Sequence, residues 1–158
     1  MAYNAAHYLP ELCRSIQAQT YPNFEVLILD DGSTDQTRSV LSAFKKDSRF
    51  KVFGWAQNRG VAAAFREVIS RGRGEYWVCT GADDLMFPEF LERRLALLRA
   101  HPEAVIVHGA TRIIDASGKA LSSHQTNSSW KTRPSRRSGG KANLAFLRGS
   151  EGRNRVFR

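Results

Sequence analysis

The chain has 158 residues, enough for one domain with a real core, and its 42% hydrophobic and 25% charged content is that of a soluble globular protein, not a disordered or fibrous one. The net charge of +9 is unevenly spread: nine Lys or Arg and one acid, Glu151, fall between Lys131 and Arg158, leaving residues 1–130 at +1. A body this close to neutral argues against a nucleic-acid-binding domain, and the basic segment reads as a solvated tail or a surface for anionic polymers or lipid headgroups.

Cys13 and Cys79 sit far apart inside apolar patterns and read as core thiols, not as a disulfide. The four histidines show no metal-ligand spacing. Nothing at the start resembles a signal peptide, and no apolar run approaches the ~18 residues of a spanning helix, so the expected location is cytoplasmic.

Taken in chain order, Leu9, Leu12, Cys13 and Ile16 make one helical stripe, and Pro22 bars continuation of that helix. Phe24 to Leu29 reads as a buried strand. Ser33 and Gln36 have capping-box spacing, ahead of a second stripe at Thr37, Val40, Leu41 and Phe44. Phe50 to Trp55 is a second strand. Gly60 opens a third helix, with Val61, Ala64, Phe65 and Val68 inward. Glu75 to Thr80 is a third strand. Pro88 suits the first turn of a fourth helix carrying Leu91, Leu95 and Leu98, and Ala104 to Val107 is a fourth strand. "RIIDASGKALS" reads as a hairpin turning at Asp115 to Gly118. From Ser122 onward the composition is that of loops, and no regular structure is expected.

This alternation predicts an α/β fold: an open, mostly parallel sheet with helices on both faces. Domains of this kind usually begin with a strand, whereas "MAYNAAHYL" leads straight into a helix. The expected organisation is a binding domain over residues 1–122 and a basic tail over residues 123–158. That tail is poorly structured or a truncated second half, and its composition is foreign enough to suggest a misread frame.

Two acidic pairs punctuate the pattern. Asp30 and Asp31 follow the first strand in "VLILDDGSTDQT", and Asp83 and Asp84 follow the third in "GADD". Ligands of open parallel sheets bind beyond the carboxyl ends of the strands. Carboxylates gathered there suit a hard cation, Mg²⁺ or Mn²⁺, and a substrate with phosphates. The plainer reading is that each pair caps the helix that follows it.

The segments "YNAAHYLPELCRSIQAQTYPNFEVLILDDGSTDQT" and "NRGVAAAFREVISRGRGEYWVCTGADDLMFPEFLERRL" strongly resemble the opening and centre of family 2 glycosyltransferases, over about Tyr3 to Ile114. Four landmarks stand in family order: "YN", "DDGSTD", Asn58 to Gly60, and "GADD" followed by a proline. The resemblance implies the sugar-nucleotide-binding half of a GT-A fold. It matches Tyr3 to the aromatic lying on the nucleobase, Asp31 to the acid bonding the base, with Asp30 its neighbour, Asp83 to the acid facing the ribose and Asp84 to the ligand of the cation bridging the diphosphate. The implied reaction is inverting transfer of a sugar from a nucleoside-diphosphate sugar, UDP-type first among them, to a hydroxyl of a glycan, lipid or protein acceptor.

Three departures qualify the match. Gly81 stands where the family often has an aspartate. The strand expected before "YN", central in the sheet, is not in this sequence. No acid is recognisable as the general base, Glu151 being the only one after Asp115. A non-catalytic remnant is therefore a second reading. A phosphoacceptor receiver is a third, set against by the absence of lysine between Lys51 and Lys119.

Overall fold

The computed structural model of the chain describes residues 1–109, 111–115, 118–124 and 146–148. Four helices alternate with strands: α1 (Leu9–Gln17), β1 (Val26–Asp31), α2 (Thr37–Phe44), β2 (Phe50–Trp55), α3 (Val61–Arg71), β3 (Tyr76–Val78), α4 (Phe90–Ala100) and β4 (Ile106–Val107). Three further strands follow, β5 (Thr111–Ile114), β6 (Ala120–His124) and β7 (Phe146–Arg148). No helix among the described residues is long and apolar enough to cross a membrane.

The stripes read from the sequence are the buried faces. Leu9, Leu12, Cys13 and Ile16 of α1 are all buried, as are Leu91, Leu95 and Leu98 of α4. All of these but Leu95 share one core with Ile28, Leu41 and Phe50. Burial raises the Cys13 thiol to about 11, as expected of a core cysteine. Cys79 departs from that expectation: it is exposed and borders a cavity between β1 and β3. Leu29 is fully buried, and alternation along the strand turns it to the face opposite Ile28, where α3 packs on β1. Helices therefore cover both faces of β1.

α1 stops at Gln17, well before Pro22, and the buried Gln19 explains the exit. Its Nε2 donates to the Ser15 and Phe87 carbonyls, and its Oε1 accepts from the Leu91 amide. A satisfied buried amide of this kind ties α1 to the start of α4. Other expectations shift by a few residues. Pro88 lies just ahead of α4, not within its first turn, and its carbonyl accepts from the Thr20 amide. Val61 is the first residue of α3 and is exposed, against the expectation that it faces inward.

The ladders divide into three. β1 and β2 pair in parallel over six residues, from Val26 opposite Phe50 to Asp31 opposite Trp55. β7 lies between β3 and β4 and is antiparallel to both. β5 and β6 form the expected hairpin, closed by the Asp115 carbonyl accepting from Gly118, which sits at φ +81°. Strand structure thus extends past Ser122, to His124 and again at Phe146–Arg148. The hairpin register carries β6 beyond its apolar residues, and β7 is a three-residue strand whose flanks have loop composition. The remainder of the basic segment lies outside the described residues.

Candidate functional site

The first acidic pair closes β1. Neighbouring strand residues point to opposite faces, so Asp30 and Asp31 do not confront each other. Both are buried, at 1% and 4% exposure. Asp30 Oδ1 accepts from the Ser33 amide at 3.1 Å and Oδ2 from Arg38 Nε at 3.3 Å. Asp31 Oδ1 accepts from the Arg59 amide at 2.7 Å and Oδ2 from the Gly60 amide at 3.0 Å. Asp31 therefore satisfies two amides of the turn that leads into α3, with its remaining lone pairs still available.

Gly32 makes this closure possible. It sits at φ +68°, and a Cβ there would lie 2.4 Å from the Gln57 carbonyl carbon. The capping box expected from Ser33 and Gln36 does not form. Asp35 Oδ1 accepts from the Thr37 amide instead, and Ser33 Oγ accepts from the Asn4 amide.

That last bond belongs to a staple between the first turn and the "DGSTD" loop. Asn4 sits at φ 49°, a left-handed conformation that Asn tolerates better than most residues. Its Oδ1 accepts from the Thr34 amide at 2.9 Å and the Thr34 hydroxyl at 3.3 Å. Thr37 Oγ1 accepts from the Ala5 amide and Asp35 Oδ2 from the Ala6 amide. Ala2 pairs in parallel with Asp30. Tyr3, half exposed, is thus held between Ala2 and Asn4 next to the end of β1. Asn4 is the residue the sequence reading left without a role. The "YN" landmark contained it, but its partners are mostly backbone groups, which leave no pattern in a sequence.

The second acidic pair, beyond β3, is built differently. Asp83 is exposed and Asp84 half-buried. Asp84 Oδ2 accepts from the Gly81 amide at 3.0 Å. A Cβ on Gly81 would lie 2.7 Å from Asp83 Oδ1 and 2.9 Å from Asp84 Oδ2, so both carboxylates converge beside this glycine. Among the described residues neither forms an ion pair, whereas Asp30 pairs with Arg38.

No group of three His, Cys, Asp or Glu side chains among the described residues could cage a metal ion. Two carboxylates still suit Mg²⁺ or Mn²⁺, which take one or two from the protein and the rest from phosphate and water. The apolar cavity beside Cys79, about 640 Å³, is lined by none of the four aspartates. A second hollow, about 380 Å³, includes Asp30 with Arg38, Lys45 and Trp55. Arg66, on the exposed side of α3, reads as a solvated helical arginine.

Solved structures of proteins in complex with nucleotides and nucleotide sugars superpose on this α/β unit. S. aureus TarS residues 1–349 in complex with UDP matches with a TM-score of 0.62 and 28% identity, covering 66% of this chain and 32% of that one. The mannosyltransferase PcManGT of Pyrobaculum calidifontis, in complex with GDP-Man and Mn²⁺, matches at 0.61 and 29% identity, over 68% of this chain and 33% of that one. The model of glycosyl transferase family 2 matches residues 1–156, and the chain belongs to that family. An uncharacterized glycosyltransferase of Rickettsia conorii is 34% identical over 120 residues, 75% of this chain. The putative glycosyltransferase EpsE of Bacillus subtilis is 31% identical over 118 residues, 73% of this chain. The chain spans 20% of the Rickettsia relative's length and 42% of that of EpsE.

Proposed function

We propose that this chain is the nucleotide-sugar-binding part of a metal-dependent, inverting glycosyltransferase. The observation that carries the reading is the convergence of Asp83 and Asp84 beside Gly81, both accessible and neither ion-paired among the described residues. Adjacent carboxylates repel, and a bound cation relieves that repulsion.

In this reading Tyr3 offers its exposed ring to the nucleobase, and Asp31, held rigid by the Arg59 and Gly60 amides, accepts from the base. Asp30 keeps the loop closed through Ser33 and Arg38. Asp83 faces the ribose. Asp84 would hold Mn²⁺ or Mg²⁺, which would supply charge stabilisation to the departing diphosphate. An acceptor hydroxyl forms the new bond to the anomeric carbon as the bond to the diphosphate oxygen breaks, and its proton passes to a base not assigned to any residue of this chain.

UDP-type donors are favoured by the likeness to TarS, which has been solved with UDP and with UDP-GlcNAc. A cell-envelope polysaccharide is the favoured acceptor, since a relative 34% identical over 98 residues is named as a putative teichuronic acid biosynthesis glycosyltransferase of Bacillus subtilis. Lipid and protein hydroxyls are the other acceptor classes. The proposed location is cytoplasmic, with peripheral membrane contact through the basic residues 131–158. The proposed division is a binding domain over 1–122 and a basic tail over 123–158, poorly structured or a truncated acceptor region, from which β7 adds to β3 and β4.

Calorimetric titration of the chain with UDP and with GDP, each with and without Mn²⁺, tests this reading. A heat that appears with UDP only when metal is present is the expected result. Absence of any metal-dependent heat at millimolar nucleotide contradicts it.

A further inference from the structure

Among the described residues five arginines lie over aromatic rings: Arg49 on Phe24, Arg59 on Trp55, Arg71 on Phe53, Arg94 on Phe90 and Arg112 on Phe87. Arg49 and Arg71 also form ion pairs, with Asp47 and Glu67. The other three have no carboxylate partner among the described residues, and of these Arg94 alone is half-buried. A guanidinium drawn out of water is costly unless an anion or acceptors compensate it.

The compensation at Arg94 is incomplete. Its guanidinium carbon lies 3.5 Å from the Phe90 ring centroid, a stack that offsets part of the charge but accepts none of the N–H groups in the ring plane. Nη1 donates to the Phe90 carbonyl at 3.3 Å, and Nε is buried with no partner. Burial lowers its pKa from the usual arginine value, yet an arginine stays charged in a protein. Gly109 admits the group: a Cβ there would lie 2.6 Å from Nη2.

Two further features converge on the same place. Arg112 stands three residues after Gly109, at most ~11 Å along the chain, and lies 5.4 Å from the ring of Phe87, which is 55% exposed. Phe87 is tied to Phe90 by the Phe90 amide, which donates to its carbonyl at 3.0 Å. The strand ends supply the second feature. β3 and β4 are both antiparallel to β7, so they run parallel to each other, and Val78 and Val107 both stand opposite Phe146. Gly81 to Asp84 and Gly109 therefore leave the sheet at one edge and at one level, on strands about 10 Å apart.

We propose that Arg94 and Arg112, with Phe87, form a subsite for an anionic group, a carboxylate or a phosphate, carried by the acceptor saccharide. The planar fork of a guanidinium matches two oxygens of either group, and the exposed Phe87 ring gives an apolar flank to a sugar. Two strand spacings from Asp84, the position suits a second anion and not the diphosphate of the donor. The anion subsite stands on this geometry alone; its assignment to the acceptor rests on the glycosyltransferase reading above.

Nuclear magnetic resonance of the full chain, with neither nucleotide nor metal, tests it. Glucuronate and glycerol 3-phosphate are titrated in separate arms, with glucose and glycerol as neutral controls. The Arg94 Nε–H and Gly109 amide signals should move saturably at millimolar acid and stay in place with the neutral compounds. The acid that saturates at lower concentration identifies the group as carboxylate or phosphate. Arg94→Gln should weaken the binding by about tenfold. Arg94→Lys, which keeps the charge and loses the fork, should weaken it several-fold, as should Gly109→Ala, which displaces the guanidinium and keeps both arginines. All three variants retain the basic residues 131–158, so equal affinity in parent and variants would assign the binding to that segment and overturn the subsite. Absence of saturable shifts at Arg94 and Gly109 up to tens of millimolar acid would overturn it too, as would a stronger response of Arg94 to UDP with Mn²⁺ than to either acid. Because the acid titrations contain no nucleotide, their failure leaves the nucleotide reading standing, and failure of UDP to bind leaves the anion subsite standing.

Discussion

The two acidic pairs look alike in the sequence and differ in almost every physical respect. Asp30 and Asp31 are buried, and all four of their oxygens accept bonds from the chain. Asp83 and Asp84 are accessible, and the described bonds to them reduce to the Gly81 amide on Asp84. A pair of adjacent aspartates at a strand end therefore carries two separate meanings. The first pair is tied into the chain's own loops, and the second is left accessible. The plainer reading of acidic strand ends, that each pair caps the helix following it, describes neither: Asp30 and Asp31 bond Ser33, Arg38 and the turn ahead of α3, and Asp84 bonds Gly81.

Substitutions should separate the two pairs. The largest effect is expected from Asp30→Ala and Asp31→Ala, each of which removes a buried acceptor from part-buried amides, at a cost of about 1–3 kcal/mol. Urea unfolding should register this as a lower midpoint with an unchanged slope. Asp84→Ala should leave the midpoint within about 0.5 kcal/mol of the parent and remove metal-dependent UDP binding in calorimetry. A comparable loss of stability in the Asp84 and Asp31 variants would erase the distinction between the pairs.

Smaller effects sharpen it further. Tyr3→Ala should weaken UDP by about tenfold, the lower end of what a base–aromatic stack contributes, while Tyr3→Phe retains affinity. Gly81→Ala places a Cβ where both carboxylates converge. It should weaken Mn²⁺ binding several-fold with little change in unfolding, as seen by competition with a metal indicator.

Much of this molecule was legible beforehand, and the boundary has a physical cause. Helical stripes and apolar strands are written in side chains, so the faces of α1 and α4 and the span of β2 were readable. The chain's α/β class followed from their order, and the family from landmarks that the comparisons bear out. What escaped depends on backbone. The partners of Asp31 are two amides of the Arg59–Gly60 turn, and the Asn4 staple ends mainly on loop amides. Any residue but proline supplies an amide, so no spacing reveals such bonds. β7 escaped for a related reason: three residues paired between β3 and β4 carry too short a pattern to stand out from a basic, loop-like segment.

The division between the pairs is tested most directly by paramagnetic broadening of backbone amide resonances as Mn²⁺ is added in the presence of UDP. Broadening should centre on Gly81 to Leu85, while the Ser33 amide, bonded to Asp30, stays sharp through the first additions. Broadening centred on Asp30 and Ser33, or none localised at Asp83 and Asp84, would contradict the assignment of the exposed pair to the metal.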